Sequence, residues 1–240
     1  MKLDNQNIIV TGANRGIGAA IVRELLKHKV GKIYAAARKV ESLPDFGDKR
    51  VVPLALDITN ANQVKAAAQK AKDVQVVINN AGIATFSSLV DGDIAADMNT
   101  NYFGTLSVIR AFIPVLQKNG KGLISNVASV VSLAPVALLG GYSASKAALH
   151  SATQALRTEL APRNIKVSGI YPGPIDTDMA RDFPMVKASA ESTAKAIVEG
   201  LIAGEDYIFP DPMSAEVGKL WQRDPVALEK QLAQPADKAA

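Results

Sequence analysis

Tyr142 and Lys146 are the residue pair with the clearest capacity for chemistry in this sequence. They stand four positions apart in the stretch Tyr142-Ser143-Ala144-Ser145-Lys146, and residues i and i+4 of a helix share one face. A free tyrosine ionises near pH ~10, and a neighbouring cation favours the phenolate and lowers that pKa. The pair therefore predicts a proton-transfer site in which the Lys146 ammonium tunes the Tyr142 phenol. The alternative is an ordinary pair on a helix surface.

A glycine-rich turn near the amino terminus predicts a dinucleotide site. It follows a short apolar strand and opens an apolar-periodic helix, where glycine lets the backbone approach a pyrophosphate and the helix terminus offers free N–H groups. The spacing Gly-x3-Gly-x-Gly differs from the standard Gly-x-Gly-x-x-Gly, so a turn without a ligand is the alternative. The candidate cofactor contacts here are Gly12, Asn14, Arg15, Gly16, Ile17 and Gly18.

The residues after the second predicted strand favour NADP(H) over NAD. Arg38 and Lys39 stand there, and no carboxylate appears before Glu41. An acidic residue at this point binds the ribose 2′-hydroxyl of NAD, whereas arginine accommodates the 2′-phosphate of NADP. Arg15 could add a second cation, since a guanidinium fork matches phosphate oxygens. The alternative is that Arg38 and Lys39 only begin a solvated loop.

Two further segments stand at strand ends. Asp57 follows the third strand, where its carboxylate could accept a hydrogen bond from an adenine amino group, although helix capping by Thr59 or Asn60 could also explain this stretch. The segment Asn79-Asn80-Ala81-Gly82 ends the fourth strand, at the sheet edge where ligands bind; an ordinary turn is the alternative. The candidate cofactor contacts here are Asp57, Ile58, Asn80, Ala81 and Gly82.

Short apolar runs alternate with helical stretches along the chain. The predicted strands are 8–10, 32–36, 51–55, 74–78, 122–127, 165–170 and 207–209, and the predicted helices are 17–28, 62–72, 94–117, 142–160 and 190–203. Continuous apolar strands alternating with helices are typical of parallel sheets covered on both faces. We therefore predict an α/β doubly wound Rossmann-type fold, one domain over 1–240, with a frayed tail at about 235–240.

Composition excludes several classes of function. The net charge is +4, with 27 Lys and Arg dispersed against 23 Asp and Glu, which is not a nucleic-acid footprint. The absence of cysteine and the presence of only two histidines argue against disulfides and a metal site. The start of the chain lacks the apolar stretch of a signal peptide, and no run reaches the ~18 apolar residues of a membrane span. We expect a cytoplasmic protein without a membrane or nucleic-acid partner.

Several of these motifs together resemble the short-chain dehydrogenase/reductase superfamily, in its ordinary-length, NADP-preferring branch, from the start of the chain to about residue 211. The turn 11–18 has the family's glycine spacing, and 79–82 matches its strand-four motif. Asn101 matches its helix-borne asparagine, and Ser129 lies thirteen positions before Tyr142, at the family's usual serine spacing. Lys146 completes a catalytic set of Asn101, Ser129, Tyr142 and Lys146.

The resemblance also implies a mechanism and an assembly. Hydride would pass between the nicotinamide and a carbonyl carbon, Tyr142 would exchange a proton with the oxygen, and Ser129 would hydrogen-bond that oxygen. Lys146 would lower the pKa of Tyr142 and hold the nicotinamide ribose, and Asn101 would support a water relay. The implied sheet order is 3-2-1-4-5-6-7, in a homotetramer or homodimer built on the fourth and fifth helices. The segment 171–177 matches the one that closes over the nicotinamide and adds the contacts Pro172, Gly173, Ile175 and Thr177.

The substrate is less defined than the cofactor. The apolar segment 130–139 is expected to line a pocket or a subunit interface. Residues 176–188, with Met179, Phe183 and Met185, are short for a substrate lid and indicate an open site for a fairly apolar ketone or aldehyde. The alternatives are reduction of a 3-oxoacyl thioester, oxidation of a secondary alcohol, or a dinucleotide-binding sensor without catalysis.

Overall fold

A seven-stranded parallel sheet forms the centre of the protein. The structure, a computed structural model, describes residues 3–233, so the predicted tail at about 235–240 lies outside the described residues. The sheet strands are β1 Ile8–Thr11, β2 Ile33–Ala37, β3 Val51–Ala55, β4 Val76–Asn79, β5 Gly122–Val127, β6 Ile165–Ile170 and β9 Tyr207–Ile208; β7 Ile175–Asp176 and β8 Ala188–Ser189 form a separate pair. The order β3-β2-β1-β4-β5-β6-β9 confirms the predicted topology, because β9 is the seventh strand of this sheet.

Helices cover both faces of the sheet. They are α1 Gly16–Leu25, α2 Ala61–Lys70, α3 Ala95–Asp97, α4 Thr105–Lys118, α5 Gly140–Leu160, α6 Ala190–Ala203, α7 Pro212–Arg223 and α8 Pro225–Leu232. None of the helices in residues 3–233 is long and apolar enough to cross a membrane.

The central strands are mostly apolar because both of their faces are buried, whereas β3 at the sheet edge is only partly covered. Ile8 and Val10 pack with α1 and α6 on one side of the sheet, whereas Ile9 and Val77 pack with α2 and α4 on the other. Successive strand residues point to opposite faces, so a strand between two helical layers has no solvated side. This arrangement leaves the carboxyl ends of the strands as the place where polar side chains collect.

The predicted helix 94–117 is divided in the structure. A short α3 leads into a π-helical turn, Met98–Gly104, before α4 begins at Thr105. Single π-helical turns within helices are frequent at functional sites. Here the turn carries Asn101, whose side chain is fully buried. Pro114 lies in the last turns of α4.

Candidate active site

The glycine turn and the segment after β4 are built as one unit. The Nδ2 of Asn80 donates to the carbonyl oxygens of Thr11 and Gly12 at 2.9 and 3.1 Å. The backbone N–H groups of Asn80 and Ala81 both donate to the Thr11 hydroxyl at 3.0 Å. A side chain at Gly12, where φ is +65°, would place its Cβ 2.8 Å from the Cα of Ala81. Only glycine allows these two segments to approach so closely.

The residues of this turn fit the phosphates of a dinucleotide. Helix α1 begins with Arg15 at its N-cap, and no side chain accepts a hydrogen bond from its first N–H groups. Its first turn carries no acidic residue. A helix terminus with free N–H groups and a positive dipole end binds anions. Arg15 is exposed beside it, Asn14 and Ile17 are partly buried, and Arg38 is exposed directly after β2.

Asp57 and Ile58 lie at the end of β3 with their side chains in different surroundings. The Oδ1 of Asp57 accepts hydrogen bonds from the backbone and hydroxyl of Thr59 at 2.9 and 2.7 Å. These bonds, and more weakly the charge of Arg38, hold the pKa of Asp57 below its usual value. Asn60 caps α2. Ile58 is buried in the core beside Gly104, so only its backbone remains for a ligand.

The four predicted catalytic residues come together at the carboxyl ends of β4 and β5. Lys146 and Tyr142 are on the first turns of α5, with Nζ 5.6 Å from the centroid of the tyrosine ring. Ser129 lies close enough to Tyr142 for its hydroxyl to influence the pKa of the phenol. A Cβ on Gly82 would lie 3.0 Å from the Oδ1 of Asn101 and 3.4 Å from the Nζ of Lys146. The absence of a side chain at Gly82 therefore keeps the space between these two groups open.

Asn101 is held from both ends of its side-chain amide. Its Oδ1 accepts from the backbone N–H of Ile83 at 2.9 Å, and its Nδ2 donates to the Ile83 carbonyl at 2.9 Å. The same Nδ2 lies 2.9 Å from the hydroxyl of Ser145 on α5. These bonds tie the π-helical turn to the strand-four segment and to the helix of Tyr142.

The pKa of Tyr142 does not follow the predicted direction. Burial raises it to about 12, the neighbouring hydroxyl of Ser129 opposes that shift, and the charge of Asp97 adds to it. Burial also lowers the pKa of Lys146 to about 8, against the charge of Asp97. The net shift of the Tyr142 pKa is thus upward, opposite to the direction expected for the pair. The physical reason is that removing the phenol from water disfavours its charged form.

The segment after β6 connects the serine to the glycine turn. The Pro172 carbonyl accepts from the backbone of Val130 at 3.0 Å and from the Ser129 hydroxyl at 3.4 Å. The N–H of Gly173 donates to Asp211 at 2.8 Å. Ile175 is buried on β7, and a Cβ on Gly16 would lie 3.2 Å from the methyl group of Thr177. The predicted cofactor contacts of this segment therefore lie next to both Ser129 and the glycine turn.

The apolar segment 130–139 is only partly placed as expected. Val130, Val131 and Ala134 are buried against Val217 and Leu228 of the two carboxyl-terminal helices. The prediction that this segment lines a pocket or a subunit interface is therefore wrong for these three residues. They form an internal core under α7 and α8. Sequence alone does not reveal this because the covering helices lie about eighty residues further along the chain.

Two polar features of the site have no counterpart among the predicted residues. The carboxylate of Asp97 is fully buried and accepts from the backbone and hydroxyl of Thr85 at 3.2 and 2.5 Å. Asn126 accepts from Asn79 and donates to Thr153, each at 2.9 Å. The sequence signal that could have revealed them is a polar residue within an otherwise apolar element. Asn126 in β5 is the clearest case.

Comparison with known proteins identifies the family. Residues 6–187 match the family model described as short chain dehydrogenase. The chain belongs to the short-chain dehydrogenase family. This short-chain dehydrogenase is 33% identical over 233 residues to the oxidoreductase BOA17 of Botryotinia fuckeliana. The aligned region covers 90% of this chain and 85% of that relative. The protein is therefore an oxidoreductase of a nicotinamide-dependent family.

Solved structures agree with the fold. A short-chain dehydrogenase from Burkholderia cenocepacia J2315 in complex with NADP has a TM-score of 0.92 and 38% identity, covering 98% of this chain and 100% of that one. A short-chain dehydrogenase/reductase from Burkholderia phymatum in complex with NAD has a TM-score of 0.84 and 23% identity, covering 100% and 99%. The second likeness concerns the fold alone.

Proposed function

We propose that this short-chain dehydrogenase reduces a ketone or aldehyde to an alcohol with NADPH. The observation that carries the proposal is the meeting of Tyr142, Ser129, Lys146 and Asn101 beside the glycine turn. NADPH supplies the hydride when it is bound. The protein's part is to orient the carbonyl and to provide a proton for its oxygen.

Tyr142 is the proposed proton donor. Its phenol carries a proton that can pass to a carbonyl oxygen as that oxygen gains negative charge. Ser129 lies within hydrogen-bonding reach of the same phenol and can donate to the same oxygen, as an oxyanion-hole group does.

Lys146 and Asn101 are the proposed support of this donor. The Lys146 ammonium, whose pKa is lowered to about 8, is largely charged at neutral pH and can hold the ribose of the cofactor. Asn101 fixes the backbone of Ile83 at the edge of the site. We assign to Asn101 the support of a water-mediated proton relay to solvent.

Two arginines, one in the glycine turn and one after β2, support NADPH as the cofactor. Arg15 lies at the N-cap of α1, and Arg38 follows β2 where NAD sites carry a carboxylate. The solved relative from Burkholderia cenocepacia, which contains NADP, supports the same assignment. The adenosine would lie along the carboxyl ends of β2 and β3, near Asp57.

Exposed apolar side chains support an apolar carbonyl compound as the substrate. They lie on the loops that follow β4, β5 and β6, at the same ends of the strands as the predicted catalytic residues. Isolated apolar residues on a surface need no explanation, but a group of them around one cleft indicates a ligand. The rings of Phe86 and Phe183 meet there at 5.8 Å. The exposed members are Phe86, Leu89, Leu138, Met179, Met185 and Val186.

We also propose that two or four copies assemble through α4 and α5. Phe103, at the start of this helical face, is 56% exposed, and an aromatic residue so placed is typical of an interface. Light scattering after size-exclusion chromatography measures the mass. A monomer would contradict this part of the proposal.

A panel of substrates tests the enzyme assignment. NADPH absorbance is followed with aldehydes, ketones, diketones and 3-oxoacyl thioesters, and the best substrate is repeated with NADH and in reverse with its alcohol. We expect the highest kcat/KM with apolar ketones or aldehydes and NADPH. Binding of NADPH without turnover of any compound would favour a dinucleotide-binding sensor without catalysis. A preference for thioesters would favour a 3-oxoacyl thioester reductase.

A further inference from the structure

Arg15 is already engaged by a residue from a distant part of the chain. Its Nη1 atom lies 3.2 Å from the Oδ2 of Asp178, in hydrogen-bonding geometry. Arg15 belongs to the glycine turn, whereas Asp178 follows β7 and opens the loop that leads to β8. One carboxylate thus occupies a guanidinium of the proposed phosphate site.

The loop that carries Asp178 is internally organised. The Nζ of Lys187 donates to the carbonyl oxygens of Ala180, Arg181 and Phe183 at 2.9, 3.1 and 3.2 Å. The Lys187 ammonium therefore holds residues 180–183 against the end of the loop through three hydrogen bonds. Residues 177–187, named here the Lys187 loop, contact the glycine turn at one end through Asp178 and the strand-four loop at the other through Phe183.

Asp178 has a second cation available when Arg15 leaves it. Arg181, in the same loop, also pairs with the Asp178 carboxylate. The carboxylate can therefore keep a counter-ion while Arg15 turns to another anion. A phosphate with two charges competes well for a guanidinium, because the planar fork binds phosphate and carboxylate oxygens alike.

We infer that Asp178 is a specificity-determining residue that competes with the 2′-phosphate of NADP for Arg15. The inference rests on the proposed use of NADPH and adds a residue that opposes it. NADH has no 2′-phosphate and leaves the Arg15–Asp178 pair intact, with the Lys187 loop pinned to the glycine turn. NADPH must break the pair, so part of its binding free energy is lost to the competition.

The expected effect is moderate because the pair is exposed. The side chains of Arg15 and Asp178 are 69% and 48% exposed, and exposed ion pairs contribute ~0.2–1 kcal/mol. Asp178→Asn should therefore tighten NADPH binding about two- to fivefold and leave the dissociation constant of NADH unchanged. High salt should shrink the difference, since exposed charges are screened.

Four variants decide the matter by equilibrium binding of each cofactor, followed by nicotinamide fluorescence. With the wild type as reference, the four variants are Asp178→Asn, the control Asp182→Asn, Arg15→Gln, and the double variant Arg15→Gln with Asp178→Asn. Asp182 is an exposed carboxylate of the same loop, and its replacement should change neither dissociation constant. In the Arg15→Gln background, Asp178→Asn should lose its effect.

The outcomes separate this inference from the proposed function. A wild type that prefers NADPH but is unaffected or weakened by Asp178→Asn would overturn only the competition. Equal tightening of both cofactors, or tightening that persists without Arg15, would do the same. A wild type with equal affinity for NADPH and NADH would overturn the proposed cofactor and the inference together.

Discussion

The Nζ of Lys146 donates a 2.7 Å hydrogen bond to the carbonyl oxygen of Val127, the last residue of β5. A buried ammonium needs such a partner, because an unpaired buried charge costs several kcal/mol. The strand end thereby fixes the lysine independently of Tyr142. Helix α5 and the central sheet are thus joined at the proposed catalytic residues, so the position of the tyrosine depends on the sheet as well as on its own helix.

Tyr142→Phe should abolish turnover and keep NADPH binding nearly intact. The change removes only the hydroxyl, and the ring that packs beside Lys146 remains. Loss of a positioned proton donor typically lowers kcat by ~10²–10⁴-fold. Steady-state kinetics with the best substrate measure the loss, and fluorescence titration measures the dissociation constant. Full reductase activity in the variant would refute Tyr142 as the donor.

Arg38→Asp should weaken NADPH far more than NADH. A charge-assisted hydrogen bond contributes ~1.5–3 kcal/mol, so the loss for NADPH should reach at least about tenfold. Lys39→Asp is the matched control, since Lys39 is the neighbouring exposed cation and lacks the forked geometry. Titration of both cofactors against both variants gives the comparison. Equal weakening of NADPH and NADH by Arg38→Asp would remove the 2′-phosphate argument.

The lowered pKa of Lys146 predicts a pH dependence of stability. Burial disfavours the charged form, so the pKa of Lys146 is about 8 in the folded protein, whereas a lysine in the unfolded chain has its ordinary pKa of 10.5. Between these values the unfolded state binds more protons, and the free energy of unfolding therefore rises with pH through this group. Relative to Lys146→Met, the wild type should gain stability from pH 8 to pH 10.

Urea unfolding at pH 7.5, 9 and 10 measures this difference. The comparison with Lys146→Met removes contributions that the two proteins share. Among these is the raised pKa of Tyr142, which makes folding less favourable above pH ~10, where the unfolded tyrosine ionises first. A constant stability difference between wild type and variant over this range would show that the Lys146 pKa is not shifted by folding.

Sequence reasoning succeeded where local pattern decides the structure. The apolar runs around Ile9 and Val77 gave the strands, and their alternation with helices indicated a parallel sheet covered on both faces. The order of the strands came from the family resemblance and is confirmed. Sequence reasoning failed where contacts between segments distant in the chain decide the structure. The π-helical turn at Asn101 is held by Ile83 and Ser145, and neither bond is visible in the residues around 101. The raised pKa of Tyr142 likewise depends on burial, which is a property of the folded whole.

Gly18→Ala should destabilise the protein and weaken NADPH binding together. A Cβ at Gly18 would lie 2.2 Å from the carbonyl oxygen of Gly12 and 2.4 Å from the Nδ2 of Asn80. The backbone of the turn must move to relieve this overlap, and overpacking typically costs ~1–3 kcal/mol. Gly47→Ala is the control, because Gly47 has a φ of +65° but nothing within 4 Å. It should lose ~1 kcal/mol through backbone strain alone and bind NADPH normally.

Urea unfolding and NADPH titration of both glycine variants separate the two causes. The Gly18 variant should show both losses because the same carbonyl and amide groups shape the turn and its proposed ligand site. Were Gly18→Ala to bind NADPH as the wild type does, the turn would tolerate the movement, and the close approach of Gly12, Gly18 and Asn80 would be a packing feature only. Loss of binding in Gly47→Ala as well would instead point to general instability.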